Sequence, residues 1–554
     1  MMKTRKQQYL ARIQALRQER EEWLNHWRDV AENFSPSSFR YLSSDRQKAG
    51  RKQNQKIINN TPPLAQRTAS AGMMSGLTSP SRPWFRLSLR DPAVQTSQAA
   101  KLWLSEAEGV LREGFAKSNV YAALHDVYSG LLNFGTAALL IEEDKEDGIR
   151  AYVFPVGQFC LANSDRLAVD TLVREFEMTT AQLVRKFGLE NCSDVVRDNF
   201  KNGDLDRWHA VCHVLEPNDA YKPGKLGPIG KAWRSCWFEV SETNNEKFLR
   251  ESGYSEMPFM APRWQRTGED AYGVSPAMLA LGDCRSLQQR ELRKAELIDK
   301  IARPPMTAPV ALQSHRTSLL PGDVTFVPGV GGQKFEPAMV VNPQALVAIE
   351  AEIQGLESHI RKALYADLWL LLSESDGRMT AREVIERRDE KLLQLGSVLE
   401  TLQDELLDPM ISRCFSILLR QGRIPVPPQE IAGLDLRVEY LSMMVQAQKI
   451  QGTTAVERLV SFVGSLAGVK PEVLDKIDTD EMVDSYAEML GTAPSVVRTD
   501  DQVAEIRTQR TQAVAQQQQA MQAEALSKTA KNLAGADMEG DNALSTMLRS
   551  MGAA

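Results

Sequence analysis

Apolar residues recur every three or four positions near the start of the chain, at Leu10, Ile13, Leu16, Trp23, Trp27, Val30 and Phe34. That spacing predicts an amphipathic helix, ended by Ser35 and Pro36. The stretch to about Lys56 is basic and polar and reads as a loop, either a solvated surface or a contact with DNA or a partner. Between about 150 and 245 the pattern changes to short runs of β-branched and aromatic residues at 151–154, 169–176 and 208–215, which predict strands. Residues 179–183 open a short helix among them, and Lys222-Pro223-Gly224 is a turn.

Helical spacing then returns. One helix is predicted from about Pro276 to Ala302, stopping before Pro304 and Pro305. Residues 304–341 are rich in Pro and Gly, with short strand-like pieces. Asn342-Pro343 starts a second helix, because proline suits the first helical position. Its stripe is Leu346, Ile349, Ile353, Leu356, Ile360 and Leu364, and it ends near Leu371. The polar string Ser373, Glu374, Ser375, Asp376, Gly377 and Arg378 reads as a loop. Thr380-Ala381-Arg382-Glu383 is a capping box. The helix it opens carries Leu392, Leu395, Leu399, Leu402 and Leu406 and continues to about Gln421, roughly 60 Å at about 1.5 Å per residue. Pro409 lies inside it and is expected to kink it. Shorter helices follow to about Met489, then a polar, Gln-rich helix over about 500–533 and a frayed end. The fold class is α+β, predominantly helical.

At 554 residues the chain exceeds one simple core, so two to four domains are expected. Its 43% hydrophobic and 25% charged residues are those of a soluble globular protein. No apolar run reaches the roughly 20 residues that span a bilayer, so no membrane partner is expected. The first residues are charged and lack an apolar core, so no secretion signal is expected. Six cysteines, Cys160, Cys192, Cys212, Cys236, Cys284 and Cys414, are scattered without a CxxC pair. They read as reduced, mostly buried thiols and point to assembly in the cytosol. The net charge of -6 argues against a protein that grips nucleic acid, which needs a basic face, but not against one that lets DNA slide past.

Catalytic chemistry finds little support. His209 and His213 stand four apart, but the string between them lacks the general-base glutamate of a zinc helix and the region reads as strand. Gly329-Val330-Gly331-Gly332-Gln333-Lys334 is followed by Phe335-Glu336-Pro337 rather than by Ser or Thr and a helix, so it reads as a tight turn. There is no Walker A motif, no G-x-S-x-G elbow and no compact carboxylate cluster. No catalytic residue, metal or cofactor is assigned.

Several strings stand out in order along the chain. Asn60-Thr61-Pro62-Pro63 precedes GMMSGLTSPSRPWFRL, which begins at Gly72. Asn133-Phe134-Gly135-Thr136-Ala137-Ala138 leads to Glu142-Glu143, and Arg174-Glu175-Phe176-Glu177-Met178-Thr179 follows. Next come Arg263-Trp264-Gln265, Tyr272-Gly273-Val274-Ser275-Pro276 and Leu281-Gly282-Asp283. The last are Val438-Glu439-Tyr440-Leu441-Ser442, Ala447-Gln448, Asp475-Lys476-Ile477-Asp478, and Arg507 with Arg510. In order and spacing, over about residues 5–515, they resemble the portal, or head-to-tail connecting, proteins of short-tailed double-stranded DNA phages. Val274 departs from a frequent arginine of the family and Gly282 from a common proline.

The resemblance implies a portal fold with wing, stem, clip and crown regions, assembled as a homo-oligomeric ring of twelve. Laid on this chain, residues 1–271 are the N-terminal helix and α/β wing, 272–303 stem helix 1 and 304–341 the clip. Residues 342–371 are stem helix 2, 372–379 a channel loop, 380–434 the long wing helix, 435–535 a helical crown and 536–554 a flexible tail. It implies a virion protein at the head-to-tail vertex of the capsid, assembled in the host cytoplasm, whose channel serves genome packaging and ejection. The implied partners are double-stranded DNA, the terminase packaging motor, the tail adaptor, capsid and scaffolding proteins, and internal core proteins at the crown.

At the family's channel loop stand Ser373 to Arg378. Arg293, Lys294 and Lys300 are candidate channel-lining residues, interspersed with Glu291, Glu296 and Asp299. Mixed charge avoids the many phosphate contacts of a uniformly basic lining; it also fits ordinary pairing on a solvated helix. Two rival readings are a non-DNA structural protein of the virion, such as a scaffold or internal core protein, and a terminase-like ATPase or nuclease. The first leaves the α/β region and the 304–341 insertion unexplained, and the second lacks its motifs.

Overall fold

A computed structural model describes residues 4–43, 56–89, 98–240, 247–307, 336–337, 342, 344–373, 395–428, 436–440, 457–465, 478–480, 482–483, 486, 497–498 and 500–534. Helix and sheet are mixed, with 58% helix. Helix α1 (Arg5–Phe34) starts at a capping box, in which Thr4 accepts from the Gln7 N–H and Gln7 accepts from the Thr4 N–H. It stops at Ser35, before Pro36. Then come α2 (Thr61–Leu77), β1 (Phe85–Leu89), α3 (Gln98–Lys117), α4 (Val120–Phe134), β2 (Ala138–Asp144), β3 (Gly148–Phe154), β4 (Phe159–Asn163) and β5 (Val169–Thr179). Helices α5 (Thr180–Phe187) and α6 (Asp194–Lys201) precede β6 (Trp208–Pro217), β7 (Trp233–Glu239), β8 (Arg250–Tyr254) and β9 (Phe259–Met260). A short turn of helix, α7 (Pro276–Leu279), leads into α8 (Leu281–Ala302). Strands β10 (Met306–Thr307) and β11 (Glu336–Pro337) are followed by α9 (Gln344–Ala363), α10 (Ala366–Ser373), α11 (Gly396–Leu402), α12 (Asp408–Arg420), β12 (Leu436–Tyr440) and α13 (Asp500–Ala534).

The chain divides into two compact units, one of residues 1–91 with 106–447, the other of 92–105 with 448–554. In the first, five antiparallel strands run in the order β4-β5-β6-β7-β8. Side chains alternate across a sheet with period two, and this sheet is covered on both faces. Cys212, Val214, Cys236 and Phe238 pack under Tyr9, Ile13 and Leu16 of α1. On the other face Val211 and Trp237 meet Leu183 and Phe187 of α5 and Val196 of α6. The phenol of Tyr9 donates to Glu216 at 2.6 Å, Arg12 donates to the same carboxylate at 3.0 Å, and Arg17 pairs with Glu175. The far half of α1 crosses into a second core. There Leu24, Trp27, Val30 and Phe34 pack with Phe134, Phe154, Tyr272, Leu287, Ile353 and Ile360. All six cysteines are buried and free, and burial pushes the Cys160 thiol up to about 11.

Three elements differ in detail from the sequence reading. The helix expected over 276–302 is interrupted at Ala280. The helix expected over 342–371 is divided at Leu364 and Tyr365, and its second piece runs on through Ser373, which closes α10 instead of opening a loop. Pro409 is taken up by a π turn, Gln403–Leu407, that joins α11 to α12. Proline has no N–H for the carbonyl four residues back and collides with it. The π turn relieves this by sending the Asp408 N–H to the Gln403 carbonyl, five residues back. The capping box at Thr380 and the start of that helix, to residue 394, lie outside the described residues. So does 304–341 apart from Pro304 to Thr307, Glu336, Pro337 and the pairing of β10 with β11.

In the second unit α13 is exposed along nearly all its described length, and Arg507 on it pairs with Asp480 at 2.7 Å. No helix among the described residues is long and apolar enough to cross a membrane.

Candidate channel elements

Helices α8 and α9 form an antiparallel pair. Arg290 meets Glu352 at 3.2 Å and Lys294 meets Glu350 at 3.2 Å, so the numbers rise on one helix as they fall on the other. Leu287 and Ile353 are buried in the core at the foot of the pair. There the residues before α2 clamp both helices. Gln288 accepts from the backbone N–H of Ile58 and Asn59, at 2.7 and 2.8 Å, and donates to the Asn59 carbonyl at 2.9 Å. The Asn59 amide donates to Glu291 on α8 and to Glu357 on α9, each at 2.9 Å, and the Thr61 hydroxyl also donates to Glu357.

Of the candidate lining residues, Arg293 is exposed and paired with Glu296 one turn on, at 3.0 Å. Lys294 lies in the seam between the helices, with a quarter of its side chain exposed. Lys300 is exposed near the end of α8. Ser373 is the last residue of α10, while Glu374, Ser375, Asp376, Gly377 and Arg378 lie outside the described residues. The sequence reading passed over the apolar residues on the outside of this pair: Leu292, Ile298, Ile301 and Val347 are all exposed. Their signal was the breadth of the apolar pattern, wider than one stripe needs.

Strings far apart in the sequence meet at the foot of the α8–α9 pair. Helix α4 ends at Gly135, whose φ is +73°. A Cβ there would stand 2.6 Å from the carbonyl carbon of Gly273, so glycine is required for both the conformation and the approach. The Gly273 N–H donates to Thr136 Oγ1 at 2.8 Å, and the Trp264 N–H to the Gly135 carbonyl at 2.8 Å. Ser275 caps α7 by accepting from the Met278 N–H at 2.9 Å, and its hydroxyl donates to the Asn133 carbonyl at 2.8 Å. Trp27 of α1 donates to the Phe134 carbonyl at 3.0 Å. Arg263 is buried beside them. It holds Glu405 of the π turn at 2.6 Å and donates to the carbonyls of Asp270 and Leu167, each at 3.0 Å.

A second meeting joins the two ends of the first unit. Strand β1 pairs antiparallel with β12, Phe85 opposite Tyr440. The ring of Trp84 stacks on those of Phe115 and Tyr440, and the Tyr440 hydroxyl donates to Asp408 at the start of α12. The two histidines of β6 have separate partners. His209 meets Thr180 at 3.1 Å, whereas His213 lies 3.7 Å from the Trp237 ring and 2.9 Å from the Ser235 hydroxyl. Among the described residues no group of three or more His, Cys, Asp or Glu is placed to hold a metal ion.

The profile of the family described as bacteriophage head to tail connecting protein matches residues 6–497, the stretch that holds the sheet, the α8–α9 pair and both meeting points. The chain belongs to this family. Two relatives match from end to end. The portal protein of Salmonella phage epsilon15 is 43% identical over 557 residues, covering 100% of each chain. The probable portal protein of Bordetella phage BPP-1 is 41% identical over 554 residues, covering 99% of this chain and 98% of that one. Among solved structures, a chain from the neck of an empty GTA particle is 10% identical, with TM-score 0.35, over 78% of this chain and 90% of that one. At that score no geometry is carried across.

Proposed function

We propose that twelve copies of the chain form a ring at one capsid vertex, through which double-stranded DNA enters during packaging and leaves during ejection. The antiparallel pair α8–α9, in a chain that belongs to the connecting-protein family, is the observation that carries this reading. Exposed Leu292, Ile298, Ile301 and Val347 suit burial against neighbouring copies, since apolar groups clustered on a surface mark contact sites. Twelve helices about 10 Å apart close into a circle of about 38 Å, and subtracting about 5 Å of helix on each side leaves a bore of about 28 Å, wide enough for hydrated B-form DNA.

In this reading the sheet, α1 and the helix ending in α12 are the wing, and α8 and α9 the stem. Residues 304–341 are the clip, which docks the terminase packaging motor and the tail adaptor. Residues 435–535 are a crown toward the capsid interior and its core proteins. Ser373 to Arg378 face the channel. Arg293 and Lys300 are exposed enough to line it, and Lys294 contributes through the seam. The role is structural and not enzymatic, and scaffolding and capsid proteins are the partners during assembly. Electron microscopy of the purified chain tests the reading: twelve-fold rings with a central hole are expected, and a protein that stays monomeric at every concentration would overturn it.

A further inference from the structure

The break between α9 and α10 holds an arrangement that the stem and wing do not require. Tyr365 has φ +58°, a conformation that a bulky aromatic residue adopts only under constraint. Its ring lies 5.8 Å from that of Trp264, within the meeting point at the base of the stem. Four residues on, Trp369 is buried against α2. The space it fills is left by two glycines one helical turn apart, on one face of α2. A Cβ on Gly72 would stand 2.9 Å from Cδ2 of Trp369 and closer still to its Cβ and Cγ. One on Gly76 would stand 3.1 Å from Cη2 and closer to Cζ3. Glycine inside a helix weakens it, so two at this spacing call for a reason, and the close approach of the indole supplies one. The indole N–H is buried without a hydrogen-bond partner among the described residues. A strained backbone and an unpaired buried donor, four residues apart, are both unfavourable. They persist here because packing into α2 over-determines the position.

We propose that Gly72 and Gly76 form a socket for Trp369, and that Trp369 is a positioning residue that sets the direction in which the chain leaves the stem. The turn at Tyr365 steers α10 away from the line of α9 and onto α2, and the socket holds it there. This rests on the reading of Ser373 to Arg378 as the channel segment, because that segment begins where α10 ends.

The experiment uses full-length rings and particles assembled from them. Gly72→Val and Gly76→Val overfill the socket, Trp369→Ala empties it, and Trp369→Phe leaves an aromatic ring in it. Hydrogen exchange over 366–373 is expected to be about tenfold faster in the first three variants, with α1 and the five-stranded sheet unchanged, and near normal in Trp369→Phe. Particles built with the first three are expected to lose packaged DNA, and Trp369→Phe to restore retention. Unchanged exchange in both glycine variants and in Trp369→Ala would overturn the socket. Faster exchange with full DNA retention would overturn the positioning role, and deletion of 373–378 then identifies the failed premise. If that deletion loses DNA, positioning alone has failed; if it also retains DNA, the channel reading has failed.

Discussion

Arg263 ties three distant segments with one side chain. Its guanidinium is 1% exposed and meets Glu405 and two backbone carbonyls, so its charge is compensated on every side. Replacing it with methionine takes the side-chain donors from those acceptors and leaves the backbone N–H of residue 263, 2.9 Å from Glu405, and Arg266, 3.8 Å away, to answer the carboxylate. Arg263→Met is expected to cost about 3 kcal/mol, as breaking a buried ion pair does. A denaturant midpoint unchanged from wild type would show that Arg266 replaces it. Burial of His213 makes the folding stability depend on pH. Burial, with help from Lys186 and Arg174, holds its pKa well below the ordinary 6.5. The unfolded chain therefore takes up a proton below about pH 6.5 that the folded chain refuses, and stability falls as pH falls through that range. His213→Gln is expected to flatten the decline. The check is the thermal midpoint at pH 7.5 and 5.5, where an equal drop in both proteins would reject His213 as the source.

At the scale of elements, local rules went far. The capping box at Thr179 and Gln182 starts α5 where the string Thr179 to Leu183 placed it, and α1 ends at Ser35 as its proline demands. Pro409 was legible as a fault in a helix, but the answer to it, a π turn that turns Glu405 toward Arg263, depends on a partner 142 residues away. Helix α13 is the opposite case: polar on all sides in sequence and exposed along nearly all its described length. An element that buries so little apolar surface adds little to the fold. Truncation after Thr499 is expected to leave soluble rings and to weaken contacts made inside the capsid. Failure of the truncated chain to form rings, seen by electron microscopy or sedimentation, would show that α13 takes part in assembly.

At the scale of the molecule, the proposed channel segment is where the proposed function is put to the test. Deleting Ser373 to Arg378 removes the last residue of α10 and a polar stretch, so monomer stability is expected to fall by an amount typical of surface changes, about 1 kcal/mol or less. Rings and motor docking are expected to be normal, while particles fail to complete packaging or to retain DNA. Arg378→Ala is expected to be milder, since one phosphate contact per subunit is weak and screened by salt. Full-length genomes held stably by the deletion would make the segment a plain connector.

The family, the mixture of helix and sheet, most strands of the five-stranded sheet and the helices of the α8–α9 pair were legible in the sequence itself. Periodicity, caps and prolines act within a few residues, and the matched strings keep their order along the chain. What those strings do in the fold was not legible. Asn133 reaches Ser275, Gly135 accepts the backbone of Gly273, Phe85 faces Tyr440, and Gly72 and Gly76 receive Trp369. Each of these contacts joins residues more than a hundred positions apart, so no local pattern marks it. The break at Tyr365 belongs with them. An apolar stripe running from Leu346 to Leu364 reads as one helix continuing to Leu371, and only the glycine face of α2 and the indole it accepts decide that the chain turns instead.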